Sequence, residues 1–294
     1  MLIGVLLQRV KTVPDDAHVT LNRYVIFVAL PALVLINVPG ITLELDVIFP
    51  VATAWIVFLT AVPVMLFIAR RSGWSRKTTG SLILTAGLGN TAFLGYPVVE
   101  ALYGADGVEV AVMVDQPGNF MVTSTLGIIV AGIFSSGEQR KRDIARSVLE
   151  FPPFIVFIGA LILNLASVEP GGVIRDVLEK FSATLTPIAL ISIGMQLKFA
   201  GITEHIRPLA LGLFYKMIAA PALIFVLYVL VFGREGLIIQ VSVIQAAMPP
   251  MITGAIIASS YGLNGRLATL MAGVGVPVAA ITLAAWYLIL GIWT

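Results

Sequence analysis

Long apolar runs separated by short polar segments dominate this 294-residue sequence. A helix that spans a membrane requires about 20 mainly apolar residues. Nine runs approach or exceed that length, at 21–38, 47–69, 81–102, 108–134, 151–168, 183–199, 208–232, 237–260 and 266–292. The opening residues 2–7 predict the end of a tenth helix, because even the first eight residues of the chain would reach only about 12 Å as a helix. We therefore expect ten helices, of which the first is truncated or unusually short.

Two of these runs are interrupted in the middle by residues that disfavour a continuous helix. The interruptions contain Asn90, Gly95 and Pro97 in the first run, and Gln245, Met248, Pro249 and Pro250 in the second. Proline lacks the backbone N–H and clashes with the preceding turn. Because lipid cannot satisfy the freed backbone groups, such breaks belong inside protein or beside a polar cavity. Paired breaks in two halves of a membrane protein indicate a transporter's substrate site.

Composition places the chain among all-α, polytopic membrane proteins. It is 59% hydrophobic and 12% charged, whereas a soluble domain carries about 25% charged residues. The net charge of +2 gives no reason to expect a nucleic-acid partner. The sequence has no cysteine, which excludes disulfides, thiolate metal sites and cysteine catalysis.

Basic residues predict the orientation of the helices, because cytoplasmic loops carry an excess of Lys and Arg. One set of loops contains Arg9, Lys11, Arg23, Arg70, Arg71, Arg76, Lys77, Arg140, Lys141, Arg142, Arg146, Lys198, Arg207 and Arg266. The opposite set contains only Arg175, Lys180 and Arg234. We therefore expect the segment 135–150 in the cytoplasm and both termini outside.

Prolines recur at matching places in the two halves of the chain. Pro31, Pro63, Pro97 and Pro117 correspond, at a nearly constant separation, to Pro187, Pro221, Pro250 and Pro277. If each half holds five helices, the second half enters the membrane from the opposite side. That arrangement is the inverted repeat of many secondary transporters. The predicted repeats are 1–134 and 151–294, joined by a linker at 135–150.

Three sequence motifs resemble the auxin efflux carrier (PIN-like) family. The first is Asn90-Thr-Ala-Phe-Leu-Gly-Tyr-Pro-Val-Val, which continues to Tyr103-Gly104. The second is Gln245-Ala-Ala-Met-Pro-Pro250, followed by Tyr261-Gly-Leu-Asn264. The third, Asp115-Gln-Pro-Gly-Asn119 followed by Ser124-Thr-Leu-Gly127, is similar to the bacterial branch. Plant members have a Lys-Glu pair where this chain has Ser259-Ser260, which argues against auxin as the substrate.

The resemblance implies a fold like that of the bile acid–sodium symporters, with ten helices in a 5+5 inverted repeat. In that fold the two broken helices cross near the bilayer centre. The resemblance also implies a scaffold made of 1–38 and 151–199, through which two copies form a homodimer. The segments 47–134 and 208–292 are then expected to form a mobile transport domain.

The two breaks are the predicted substrate site. Half-helix N-termini carry unpaired amides and about half a positive charge, which suits a carboxylate. The candidate substrate-binding residues are Asn90, Gly95, Pro97, Gln245, Met248, Pro249 and Pro250. In an alternative interpretation, Asn90 and Gln245 only satisfy backbone groups that the breaks leave free.

Asp115 and Lys216 are charged residues far from any loop end, and Gln116 and Asn119 accompany Asp115 as candidate coupling residues. A charge at a helix centre costs about 2.5–3.5 kcal/mol, so both should face the protein interior or water. Three interpretations are open at this stage. The two charges form an ion pair, or Asp115 binds a cation or proton while Lys216 attracts the anion, or Lys216 extends its stem to the membrane interface.

Together these predictions indicate a secondary carrier of small organic anions, in particular carboxylates, that works by alternating access. The alternatives are a sodium-coupled carrier like the bile acid symporters, a channel-like uniporter and a membrane sensor. We do not expect an enzyme, because no intramembrane His or pair of acids is present for acid–base chemistry. No cofactor and no metal site are expected, and coupling to Na⁺ or H⁺ stays open. The expected partners are the carboxylate, membrane lipid and a second copy of the chain, in a bacterial inner membrane.

Overall fold

The computed structural model describes residues 2–8, 10, 13–14, 16–40, 45–135, 152–196 and 203–293. Within these ranges the first half forms helices α1 (Leu2–Leu7), α2 (Ala17–Gly40), α3 (Ile48–Ser72), α4 (Arg76–Gly87) and α5 (Gly95–Phe134). The second half forms α6 (Pro152–Leu165), α7 (Gly172–Ala183), α8 (Leu185–Gln196), α9 (Thr203–Val231), α10 (Leu237–Ala246), α11 (Ile252–Ser260) and α12 (Gly265–Trp293). These ranges contain no β-strand, in agreement with the predicted all-α class.

The predicted linker 135–150 lies outside the described residues except for Ser135, as do Arg9, Lys11 and Lys198. The cytoplasmic placement of the linker and the orientation of the termini therefore stay predictions.

Five of the described helices, α2, α3, α5, α9 and α12, are long and apolar enough to cross a membrane. They contain most of the predicted spans 21–38, 47–69, 108–134, 208–232 and 266–292. Helix α5 also takes up the end of the predicted span 81–102. At Gly104 its backbone has φ 71°, a left-handed conformation that glycine adopts without steric cost, so α5 consists of two arms. The ten-helix inverted repeat stays a prediction.

The structure differs from the predicted spans 151–168 and 183–199. Helix α6 ends at Leu165, and helical structure begins again at Gly172, well before the predicted start of the next span. Helix α7 is amphipathic rather than apolar, and its Arg175 and Glu179 form an ion pair of 2.9 Å one turn apart. A search for apolar runs cannot find such a helix, because charged residues interrupt the run.

The described helices pack mainly in two groups, which meet where α2 contacts α5. Helix α2 contacts α6, α7 and α8, and α1 contacts α8. In the other group α3, α4, α5, α9, α10, α11 and α12 contact one another. The predicted division into a scaffold and a transport domain follows the same helices, and it stays a prediction because the packing alone does not show that the groups move.

The two predicted breaks are present in the structure, and they meet. The first separates α4 from α5 at residues 88–94, and the second separates α10 from α11 at 247–251. Gly89 and Pro250 form an isolated antiparallel bridge between them. Helix α11 packs against α4, and α10 packs against α5, so each half-helix lies beside a half-helix of the other break. We call residues 88–94 and 247–251 the junction.

Candidate functional site

Two backbone hydrogen bonds hold the junction together. The amide of Asn90 donates to the carbonyl of Pro249 over 2.8 Å, and the amide of Met251 donates to the carbonyl of Leu88 over 3.0 Å. Each break thus satisfies backbone groups of the other. This exchange explains how two interrupted helices are stable where lipid offers no hydrogen-bond partner.

The side chain of Asn119, on α5, completes the pairing around Gly89. Its Oδ1 accepts a hydrogen bond from the Gly89 amide at 3.2 Å, and its Nδ2 donates to the Gly89 carbonyl at 2.9 Å. Asn119 is 2% exposed. It is therefore a positioning residue that holds the backbone of the first break.

Asn90 and Gln245 each use one end of the side-chain amide to satisfy the backbone. Asn90 Oδ1 accepts from the Leu94 amide at 3.3 Å, and Gln245 Nε2 donates to the Thr91 carbonyl at 3.2 Å. Both residues are buried, and their other ends, Asn90 Nδ2 and Gln245 Oε1, have no hydrogen-bond partner among the described residues. The backbone interpretation thus accounts for half of each amide and leaves the other half for a ligand or water.

The remaining candidate binding residues shape the junction rather than point polar atoms at a ligand. A Cβ added to Gly95 would collide with Oε1 of Gln245, so this glycine permits the close approach of α5 and α10. Pro97 is buried in the first turn of α5, where the missing amide costs no helical hydrogen bond. Met248 is fully buried, and Pro249 and Pro250 are buried in the bridge with the first break.

Asp115 lies beside the junction and is 2% exposed. Its carboxylate accepts three side-chain hydrogen bonds, from Thr91 Oγ1 at 2.5 Å, Tyr96 OH at 2.8 Å and Gln116 Nε2 at 2.6 Å. Two of the donors, Thr91 and Tyr96, belong to the first break and the turn that follows it. The carboxylate therefore ties α5 to the junction. Gln116 Oε1 is buried, and no residue in the described part of the chain is its hydrogen-bond partner.

Lys216, on α9, is likewise 2% exposed. Its Nζ donates to the carbonyl of Ala246, the last residue of α10, over 2.8 Å. Within the described ranges no ion pair joins Lys216 to Asp115, so the ion-pair interpretation is wrong for this conformation. The extended-stem interpretation is wrong as well, because the ammonium lies inside the protein beside the junction and not at an interface.

A cavity of about 220 Å³ adjoins the junction on the side of Asp115. Its walls are mainly apolar and include Phe93, Phe120, Met251 and Thr253, together with Ile26 of α2. Asp115 is the one predicted site residue in this lining. Asn90 and Gln245 lie outside this lining, and their role in substrate binding stays a prediction.

Sequence reasoning missed Thr91, Tyr96, Phe93 and Met251. All four lie within or next to the motifs at the breaks, so a signal was present in their position. The apolar character of Phe93 and Met251 hides their role, because such residues are normally taken as core packing.

Helix ends of opposite sign face the two buried charges. Ala92 and Phe93, just before α5, and Met251 and Thr253, at the start of α11, line the cavity with Asp115. Gly87 and Ala246, the last residues of α4 and α10, line a second and much smaller cavity with Lys216. Because helix N-termini favour negative charge and C-termini favour positive charge, each side chain lies where the helix ends stabilise it.

No group of three or more His, Cys, Asp or Glu residues that could hold a metal ion is found in the described part of the chain.

Comparison with known proteins agrees with this architecture. A family model described as "Membrane transport protein" matches residues 1–287. The chain belongs to this family of membrane transporters, which is the auxin efflux carrier family that its motifs resemble. The predicted family and the multi-pass membrane class are thereby confirmed.

Relatives of similar length come from archaea and bacteria. An uncharacterized transporter of Methanothermobacter thermautotrophicus is 28% identical over 99% of this chain and 95% of its own length. The transporter YfdV of Escherichia coli K12, also described as uncharacterized, is 25% identical over 97% of this chain and 93% of its own. A putative malonate transporter of Rhizobium meliloti is 23% identical over 90% of this chain and 84% of its own.

Proposed function

We propose that this protein is a secondary carrier of small carboxylates, and that the substrate occupies the 220 Å³ cavity beside the junction. The observation that carries the proposal is the convergence of two helix N-termini, those of α5 and α11, on one cavity. Such ends carry a partial positive charge, which favours a negatively charged ligand. A distant relative described as a putative malonate transporter is in keeping with this substrate class.

Asp115 gives the proposed carrier a means of coupling. A carboxylate substrate in the cavity lies close to the carboxylate of Asp115, and two carboxylates that share a site do not both stay ionised. Anion binding there therefore requires a proton or another cation at the same time. We propose that Asp115 takes up that cation, so that anion and cation cross the membrane together.

The walls of the cavity support alternating access. Ile26 and Leu30 of α2 form one wall, whereas α5 and α11 form the opposite one. These walls belong to the two packing groups of helices. Displacement of one group against the other would open the cavity first to one side of the membrane and then to the other.

Uptake into proteoliposomes tests this function. We expect saturable uptake of labelled malonate or a related dicarboxylate, accelerated by an inward proton gradient. Thr253→Phe should abolish uptake by filling the cavity, whereas Thr269→Phe, an equivalent change at an exposed position of α12, should preserve it. The absence of saturable uptake for every member of a panel of mono- and dicarboxylates would overturn the proposal.

The same assay separates the alternative functions. Uptake that follows a sodium gradient and ignores the proton gradient would identify a sodium-coupled carrier. Flux that rises linearly with concentration would identify a channel-like uniporter. Specific binding of a carboxylate without any flux would identify a sensor.

A further inference from the structure

We propose that the ammonium group of Lys216 is a built-in cation that occupies the meeting point of two helix C-termini, where a coupling metal ion would otherwise bind. The placement of the Lys216 ammonium between the two helix ends is a feature of the folded chain and does not depend on transport. Its consequence for coupling, that Asp115 alone takes up the transported cation, rests on the proposed function.

Nζ of Lys216 lies near the ends of both half-helices that stop at the junction. It lies 2.8 Å from the carbonyl of Ala246 at the end of α10. It also lies close to Gly89, two residues after the end of α4, since a Cβ added to Gly89 would lie 3.0 Å from Nζ. Nζ therefore binds the end of α10 and lies beside the chain that leaves the end of α4, and residues of both ends line one small cavity with Lys216.

The electrostatics of those ends is the second argument. The last carbonyls of a helix lack intrahelical partners, and each C-terminus carries about half a negative charge. Two such ends at one buried point repel each other unless a cation lies between them. In transporters with broken helices, unwound carbonyls and half-helix C-termini are the groups that coordinate Na⁺ or H⁺. Lys216 supplies the positive charge at this position from a side chain instead of from a bound ion.

The surroundings of Lys216 are the third argument. Asp115 is committed to Thr91, Tyr96 and Gln116, and no acid in the described ranges pairs with Nζ. The two helix ends are therefore the counter-charge of the ammonium. Helix α9 holds it in place, because Tyr215 OH donates to the Val57 carbonyl at 2.7 Å.

The space around Nζ is the fourth argument. Lys216, Gln245 and Asn119 line a cavity of only about 10 Å³. That volume is near the minimum for one water molecule. The unpartnered Oε1 of Gln245 belongs to a residue of this lining, so a single water suits the space. A hydrated metal ion does not fit beside the ammonium.

Thermal unfolding of the purified full-length protein tests the proposal without any substrate. The proteins to compare are the wild type, Lys216→Met, Lys216→Ala and the exposed control Lys180→Ala, each in choline chloride and in NaCl or methylammonium chloride of equal ionic strength. Lys216→Met keeps the stem and removes the charge. Lys216→Ala vacates the position for a free cation.

We expect both Lys216 variants to unfold at a lower temperature than the wild type in choline. Na⁺ or methylammonium should raise the Tm of Lys216→Ala by about 3 °C or more, as a cation bound only by the folded state would. The wild type and Lys180→Ala should respond less. The proposal is overturned if Lys216→Met is as stable as the wild type, if neither cation restores Lys216→Ala, or if the wild type gains as much as that variant.

If the Lys216 variants do not fold, direct measurement of Na⁺ binding tests the proposal instead. Binding of ²²Na⁺ to Asp115→Asn, which retains Lys216, should be absent because the junction is already occupied. Saturable binding to that protein would overturn the proposal. A failure of carboxylate uptake would refute the proposed function and leave these results interpretable, since neither measurement requires transport.

Discussion

The two sides of the junction surround their buried charges differently. Asp115 accepts three hydrogen bonds from side chains and faces a cavity of about 220 Å³. Lys216 donates to one backbone carbonyl and borders a cavity of about 10 Å³. The cavity beside Asp115 has room for a ligand, whereas the space beside Lys216 does not.

This difference shows how a membrane protein can keep two opposite charges in its interior without pairing them. In an ion pair the charge of each partner depends on the other, and removing one partner leaves a costly buried charge. Here the helix ends of the junction stabilise each side chain separately. Each side chain is therefore stabilised without a contribution from the other.

The largest expected effect comes from removing the acceptor on the open side. Asp115→Leu leaves the donors of Thr91, Tyr96 and Gln116 without their partner, and each buried unsatisfied group costs about 1–3 kcal/mol. We expect a loss of several kcal/mol in the free energy of unfolding. Asp115→Asn keeps an acceptor and should lose less. Unfolding in denaturant measures both, and equal stability of the two variants would contradict this account of Asp115.

A smaller loss of stability is expected from forcing α5 and α10 apart. Gly95→Ala places a methyl group against Oε1 of Gln245, and overpacking of this kind costs about 1–3 kcal/mol. Gly159→Ala on α6 is the matched control, because its added methyl group meets open space. That control should be neutral or slightly stabilising, since alanine favours a helix over glycine. Thermal unfolding of both proteins tests the pair, and equal shifts would show that the junction tolerates separation.

The smallest expected effect concerns a single hydroxyl group. Tyr96→Phe removes one of the three donors to Asp115 and should cost about 0.5–1.5 kcal/mol. Tyr103→Phe is its control, because the buried Tyr103 hydroxyl has no hydrogen-bond partner among the described residues. We expect no loss of stability there. A Tyr103 variant that is less stable than the Tyr96 variant would argue against the network around Asp115.

The sequence predicts the parts of this structure that depend on local chemistry. Glycine and proline mark both breaks, because they act on the backbone where they occur. Asp115 and Lys216 are conspicuous because charges are rare in apolar runs. The ion-pair interpretation of the two charges fails, however, because Lys216 donates to the carbonyl of Ala246, and nothing in the local sequence indicates a backbone partner.

The sequence also does not predict the cavity beside Asp115, because its lining depends on the fold. Its walls come from α2, α5 and α11, which are far apart along the chain. Phe93 and Met251 are apolar residues in an apolar sequence, so neither composition nor spacing separates a wall of the cavity from the packed core. Only the fold brings them to Asp115.

The hydrogen bonds between Asn90 and Pro249 and between Met251 and Leu88 involve only main-chain atoms. Main-chain groups are the same whichever side chain a residue bears. The contact between the two breaks therefore survives most changes of the residues around it, while the lining of the cavity stays open to replacement. A single architecture of this kind can diverge toward different substrates without redesigning its centre.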